Sequence, residues 1–165
     1  MVVLGILVGL SLIVFAVFEA KKVKLRRDRA AASRQRLVEA LSDPREAAAI
    51  LLVQTALYGK GQVTLEGKLK ITEQMQTHLG CSADEAEGYY SFGRMAIGQI
   101  GDALPSLGRI LRPVHAHLTL DEMKTLVAMM MEVSAAEGSP DPAAVELIGE
   151  TREALHVDLA IHLPD

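Results

Sequence analysis

Polar and apolar positions divide this chain into two regimes. Residues 1–18 form an apolar run without charge or proline, in which only Ser11 is polar. From Pro44 onward the apolar positions recur every three or four residues, the period of helices with one buried face. Turn and cap residues divide this second regime into helices. Asp43-Pro44 places a capping carboxylate before a proline at the first helical position, so a helix is expected from Pro44 to about Leu57 on an apolar stripe of Ala47, Ile50, Leu51, Val53 and Leu57. Thr64 caps a second helix, whose buried side is read as Leu65, Leu69, Ile71, Met75 and Leu79, closed by Gly80. Ser82-Ala-Asp-Glu85 and Thr119-Leu-Asp-Glu122 both have the capping-box form, hydroxyl and carboxylate three residues apart. The first opens a longer helix through Tyr89, Phe92, Met95, Ile97 and Ile100. The second opens one through Met123, Leu126, Val127, Met130 and Val133 toward Ala136. Between them Pro105 marks a start and Pro113 a stop, and Asp141-Pro142 opens a last helix through Val145, Leu147, Ile148 and Leu155.

Gly88, Gly93, Gly98 and Gly101 weaken the long middle helix on its own, which points to small residues wanted for close helix packing or to a kink. Ala, Leu, Met and Glu dominate the chain, whereas aromatics make up only 4% of it, a balance that favours helix over strand. The expected fold class is therefore all-α.

The leading run has about the length that spans a bilayer core at ~1.5 Å per residue. A cleaved signal peptide would carry positive charge before a shorter apolar core and a small-residue cleavage site behind it, and neither is found here. Residues 1–20 are thus read as a retained transmembrane anchor. Lys21, Lys22, Lys24, Arg26, Arg27, Arg29, Arg34 and Arg36 follow it, and positive flanks stay in the cytoplasm. The reading is a single-pass protein of a bacterial-type inner membrane, N-terminus outside and domain in the cytoplasm. Residues 21–41 form a basic helical stalk whose Lys21, Lys22, Lys24, Arg26, Arg27 and Arg29 can meet anionic headgroups or serve as a topology signal alone. Gly5 and Gly9 form a small-xxx-small pair suited to contact between spans, including self-association.

Charge divides the chain in the same place. Of seventeen basic and twenty-one acidic side chains, eight and two lie in residues 1–36, leaving nine and nineteen in the remainder. An acidic domain is a poor partner for nucleic acid, whose phosphates demand a basic face. The single Cys81 excludes an intramolecular disulfide.

Residues 47–80 and 124–157 share one plan: an Ala-rich apolar helix, a turn containing Gly61 or Gly138, and a second helix ending near His78 or His156. Aligning the two glycines also sets Ile71 on Ile148. Two related helical hairpins joined by the middle helix would bury their apolar stripes against each other. The turns Tyr58-Gly-Lys-Gly-Gln-Val-Thr-Leu-Glu66 and Ala136-Glu-Gly-Ser-Pro-Asp141 resemble the two Asp-Gly turns of the tellurite-resistance TerB-like helical domain, over roughly residues 44–157. With the leading span, the layout is similar to the N-terminal part of DjlA-type co-chaperones. The domain is accordingly set at 42–158, with a tail at 159–165.

The resemblance implies a divalent cation held by acidic residues near the turns, which here leaves Glu66, Glu137 and Asp141 as candidate ligands. Lys60 stands where the family's Asp would precede Gly61, and Ala143 stands at an acidic position of the second turn. Hard cations need several oxygen ligands, and capping or solvation at helix starts is the competing reading of these carboxylates. No cofactor is otherwise implied. Catalytic motifs are lacking: there is no nucleophile elbow, phosphate loop or zinc spacing, and His115 and His117 are placed in a turn. The Met129-Met130-Met131 run reads as core, or as a flexible lining for a partner groove. The chain is expected to be a tethered protein-interaction module rather than an enzyme, with envelope or metal-oxyanion stress as the setting that the resemblance implies. An accessory subunit of a larger membrane complex and a cation sensor remain alternatives.

Overall fold

The computed structural model describes Lys24, Asp28 and residues 31–58 and 60–157. The span at 1–20, Gly5 and Gly9, the stalk cations Lys21, Lys22, Arg26, Arg27 and Arg29, and the tail at 159–165 lie outside the described residues. Among the described residues all regular structure is helical, and no helix is long and apolar enough to cross a membrane. The chain divides into two compact units, Met1–Arg36 and Leu37–Asp165. In the first, Lys24, Asp28 and residues 31–36 are helical and exposed.

The second unit begins with helical residues 37–40, followed by α1 (Pro44–Leu57), α2 (Leu65–Leu79) and α3 (Ala83–Ile100). A 3₁₀ turn (Leu104–Ser106) and two short helices, α4 (Leu107–Ile110) and α5 (Arg112–His117), lead to α6 (Leu120–Ala136) and α7 (Pro142–Ala154). Val38 and Leu41, which the sequence assigns to the stalk, are buried in this unit's core. Arg112 Nη2 donates to the Glu39 carbonyl at 2.7 Å, so a helix end that lacks intrahelical partners is satisfied from α5.

Helix α1 lies at the centre. Every residue from Ala47 to Ala56 is buried, so it carries no polar face, in contrast to the stripe expected from its spacing. Its two buried polar side chains are both satisfied. Thr55 Oγ1 donates to the Leu51 carbonyl at 2.8 Å, and Gln54 Oε1 accepts from the Ala103 N–H at 3.1 Å. The most extensive helix contact joins α1 to α3, and Gly93 is what permits it. A Cβ at Gly93 would stand 2.7 Å from the Ala49 carbonyl oxygen and 3.0 Å from Val53 Cγ2. Gly88 and Gly98 face open space, so close packing accounts for one glycine of the series. The helix shows no break before Ile100, and Gly101, at φ 83°, ends it.

Tyrosines tie both ends of α1 to α3 and its following turn. Tyr89 Oη donates to Asp43 Oδ2 at 2.7 Å beside the α1 cap, and Tyr58 Oη donates to Asp102 Oδ1 at 2.7 Å. Burial and its carboxylate partner raise the pKa of each phenol, which keeps both as donors. Helix α4 ends at Ile110, just ahead of Pro113 as expected, but a new helix starts at once: Pro113 stands in the first turn of α5, where a missing N–H costs nothing. His115 and His117 consequently occupy the last turn of α5 rather than a loop.

The two hairpins foreseen from the repeat are present as α1–α2 and α6–α7, and α6 packs against both α1 and α2. Gly61 and Gly138, the glycines that align in the repeat, have φ of 68° and 109°, a region that favours glycine. Four apolar residues of the helical patterns lie outside the core: Leu65 is 73% exposed, Leu69 59%, Val145 55% and Met95 49%. Their helices bury other stripes. In α2 that stripe includes Ile71 and Met75, and in α7 it is Ala144, Leu147 and Thr151.

Candidate functional site

The turns of the two hairpins meet at Glu137. Thr64, the α2 cap, accepts from the Gly67 N–H through Oγ1 at 3.0 Å and donates through the same hydroxyl to Glu137 Oε1 at 2.9 Å. The Thr64 N–H donates to the same carboxylate oxygen at 3.2 Å. Glu137 ends α6 and is only 8% exposed. Its Oε2 has no hydrogen-bond donor but lies 3.5 Å from Lys60 Nζ, which balances the charge without bonding geometry. Lys60 and Glu137 are the residues that precede the aligned glycines. Equivalent positions of the repeat, one a cation and one an anion, thus pair with each other. Gly67 completes the clasp, since a Cβ there would fall on Glu137 Oε1.

A polar cavity of about 220 Å³ adjoins the clasp, lined among others by Tyr58, Lys60, Ser134, Glu137, Ser139 and Asp141. Asp141 Oδ1 accepts from the Ala143 N–H at 2.9 Å as the α7 cap. Glu66 is elsewhere. It lines an open cleft between α2 and α6, beside Lys70, which pairs with Glu73 at 3.2 Å and Glu132 at 3.1 Å. The structure therefore does not assemble Glu66, Glu137 and Asp141 into one ligand set. Glu137 is turned inward to the α2 cap, Asp141 caps its own helix, and Lys60 supplies the nearby positive charge. Among the described residues no group of three His, Cys, Asp or Glu side chains is placed so that it could hold a metal ion.

Other candidate chemistry is also accounted for by its surroundings. Cys81 is buried, which raises its thiol pKa and opposes the reactive thiolate. His78, His115, His117 and His156 are exposed, the first at the end of α2 and the next two in the last turn of α5. Lys24, Arg34 and Arg36 are the exposed cations of the first unit that are described.

An apolar groove of about 440 Å³ runs between α6 and α7, lined among others by Val127, Met131, Pro140, Val145, Ile148 and Arg152. Met131 is 45% exposed, whereas Met129 and Met130 are buried, so the methionine run serves both core and surface. Helical geometry explains how α7 contributes. Ala144, Leu147 and Thr151 face inward, Val145, Ile148 and Arg152 lie one face around, and Glu146, Glu150 and Glu153 lie beyond, across Gly149. The sequence signal for this groove was the presence of two apolar stripes on one short helix, where a single buried face needs one.

No family model, no curated protein and no solved structure matches this chain.

Proposed function

We propose that the chain is a membrane-tethered protein-interaction module of TerB-like type, held at the cytoplasmic face of a bacterial inner membrane by residues 1–20. Its setting would be envelope or metal-oxyanion stress. The observation that carries the interaction role is the set of large apolar side chains that the folded unit leaves at its surface, Met131 and Val145 among them. Protein surfaces ordinarily scatter such residues singly, whereas these two line one groove. The tethering role is supported by the apolar run and the cations behind it. Confinement at a bilayer raises the effective concentration of the domain against membrane-bound partners.

Two measurements test the halves of this reading. Fractionation of cells producing the whole chain should leave it with the membranes, resistant to alkaline carbonate, with the domain cleaved by protease only after the cytoplasmic side is opened. Recovery from the soluble fraction would end the tether. A photo-crosslinker placed in turn on each helix surface should then capture one protein partner in stoichiometric yield. Comigration of all of the chain with one large complex after mild-detergent extraction would instead mark an accessory subunit.

A further inference from the structure

We infer that the polar cavity beside the clasp binds a small zwitterion, an α-amino acid with little or no side chain, its ammonium inward against Glu137 and Asp141 and its carboxylate outward on Lys60. The inference goes beyond the interaction role and does not rest on it. Two side chains of the cavity, Ser134 and Glu137, are more than nine-tenths buried and keep hydrogen-bonding capacity unspent. Glu137 Oε2 has no donor, and the Ser134 hydroxyl makes no hydrogen bond to any described residue. Buried polar groups ordinarily find partners, so these two mark where a ligand would bond.

The direction of the hydrogen bonds around the cavity sets which end of the ligand enters first. Thr55 Oγ1 gives its proton to the Leu51 carbonyl and Tyr58 Oη gives its proton to Asp102, so both oxygens have only lone pairs left to offer. Asp141 spends Oδ1 on the Ala143 N–H, and its Oδ2 has no partner among the described residues. The wall is therefore rich in acceptors, which a positively charged group with several N–H donors satisfies. Lys60, the one cation of the lining, is half exposed. Its Nζ lies 3.5 Å from Oε2 without hydrogen-bonding geometry, and an ion pair of this exposure is weak. An incoming ammonium takes the place of Lys60 at Oε2, and the released lysine turns to the carboxylate that arrives with it. A simple cation would leave Lys60 beside a second positive charge, and a simple anion would face Glu137 and Asp141. A molecule with both signs avoids each cost. The volume of about 220 Å³ falls below the ~300–1,000 Å³ of sites for drug-sized ligands, which limits the amino acid to the bulk of glycine, alanine or serine.

The test is isothermal titration calorimetry of the full chain in lipid nanodiscs, with glycine, serine, methylammonium chloride and sodium acetate as probes. Glycine or serine should bind with a dissociation constant of roughly 0.1–1 mM, in keeping with so few atoms, and methylammonium and acetate roughly tenfold more weakly or worse. Asp141→Asn keeps a good cap for α7 and Lys60→Met changes an exposed side chain, so both variants should retain the circular dichroism of the parent. Each should weaken amino-acid binding roughly tenfold, and Ser134→Ala should weaken it several-fold. Lys60→Met should also remove the preference for glycine over methylammonium, because the carboxylate loses its partner; a general loosening of the fold would not change that ratio. The absence of binding heat from both amino acids up to roughly 20 mM, well above the expected range, overturns the inference. So does amino-acid binding that is unchanged in Asp141→Asn and Lys60→Met. Methylammonium or acetate that binds the parent as tightly as glycine also overturns it, because one charge alone would then suffice.

Discussion

Removing the Glu137 carboxylate tests the clasp between the two hairpins. Glu137 Oε1 receives two donors from Thr64, at 2.9 Å and 3.2 Å, in a part-buried setting. A hydrogen bond to a charged group contributes about 1.5–3 kcal/mol, and two that share one oxygen contribute less than twice that. The Lys60 side chain is 50% exposed, so its ion pair adds at most about 1 kcal/mol. Glu137→Ala should therefore cost about 2–4 kcal/mol. At an m-value of about 2 kcal/mol/M, the urea midpoint falls by roughly 1–2 M in far-UV circular dichroism. Gly67→Ala reaches the same clasp from the other side, because its Cβ and Glu137 Oε1 cannot both keep their places. The carboxylate is the free end of a flexible side chain, so it would swing out and the helix would keep its shape. In the parent chain Gly67→Ala should destabilise by about 1–3 kcal/mol, the lost clasp being partly offset by about 1 kcal/mol of helix propensity. With Glu137→Ala already present, the same change should be neutral or stabilising by up to about 1 kcal/mol. A reversal of sign is the signature. Equal destabilisation by Gly67→Ala in both backgrounds would refute the clasp, as would a Glu137→Ala midpoint unchanged from the parent.

Glycines on α3 offer a second reversal. Gly93→Ala should destabilise by about 1–3 kcal/mol, since its Cβ meets the α1 backbone at Ala49, whereas Gly98→Ala or Gly88→Ala should stabilise by about 0.5–1 kcal/mol; thermal melts of the three variants check the order. The capping boxes predict an acid limb. The Ser82 N–H and then its hydroxyl lower the pKa of Glu85, and the Thr119 N–H and then its hydroxyl do the same for Glu122. Their stabilisation is present above the unfolded value of about 4.3 and is lost as pH falls through the lower folded values. The double variant Glu85→Gln, Glu122→Gln should thus show a shallower loss of stability below about pH 4.3, measured by urea titration across that range.

Helix starts were legible because a cap is a local device. Asp43, Thr64, Ser82, Thr119 and Asp141 each bind an N–H two or three residues ahead in their own helix, and all five starts are where the residues place them. The repeat was legible for a similar reason, since Gly61 and Gly138 answer to their own backbone angles. Pro113 was read only in part: α4 ends before it, but the helix it helps to start was missed, because a proline after a helix end and one at a helix start look alike until the neighbouring turn is known. The placement of the three carboxylates offered by the resemblance was not legible, because Glu137 is drawn to Thr64, 73 residues away, and Glu66 lines a separate cleft.

Local chemistry, then, is what the amino-acid order determined alone: all-α structure, the starts of the five capped helices, the related turns and the division of charge between residues 1–36 and the rest. Tertiary structure decided which side of each helix is covered. Leu65, Leu69 and Val145 are as apolar as Ile71 and Leu147, and only the placement of α1 and α6 separates the buried from the exposed. It likewise distinguished Gly93 from Gly98 and turned Glu137 from a presumed ligand into a clasp. The physical reason is range: a cap or a turn is satisfied within a few residues, whereas burial and close approach depend on surfaces supplied by distant segments of the chain.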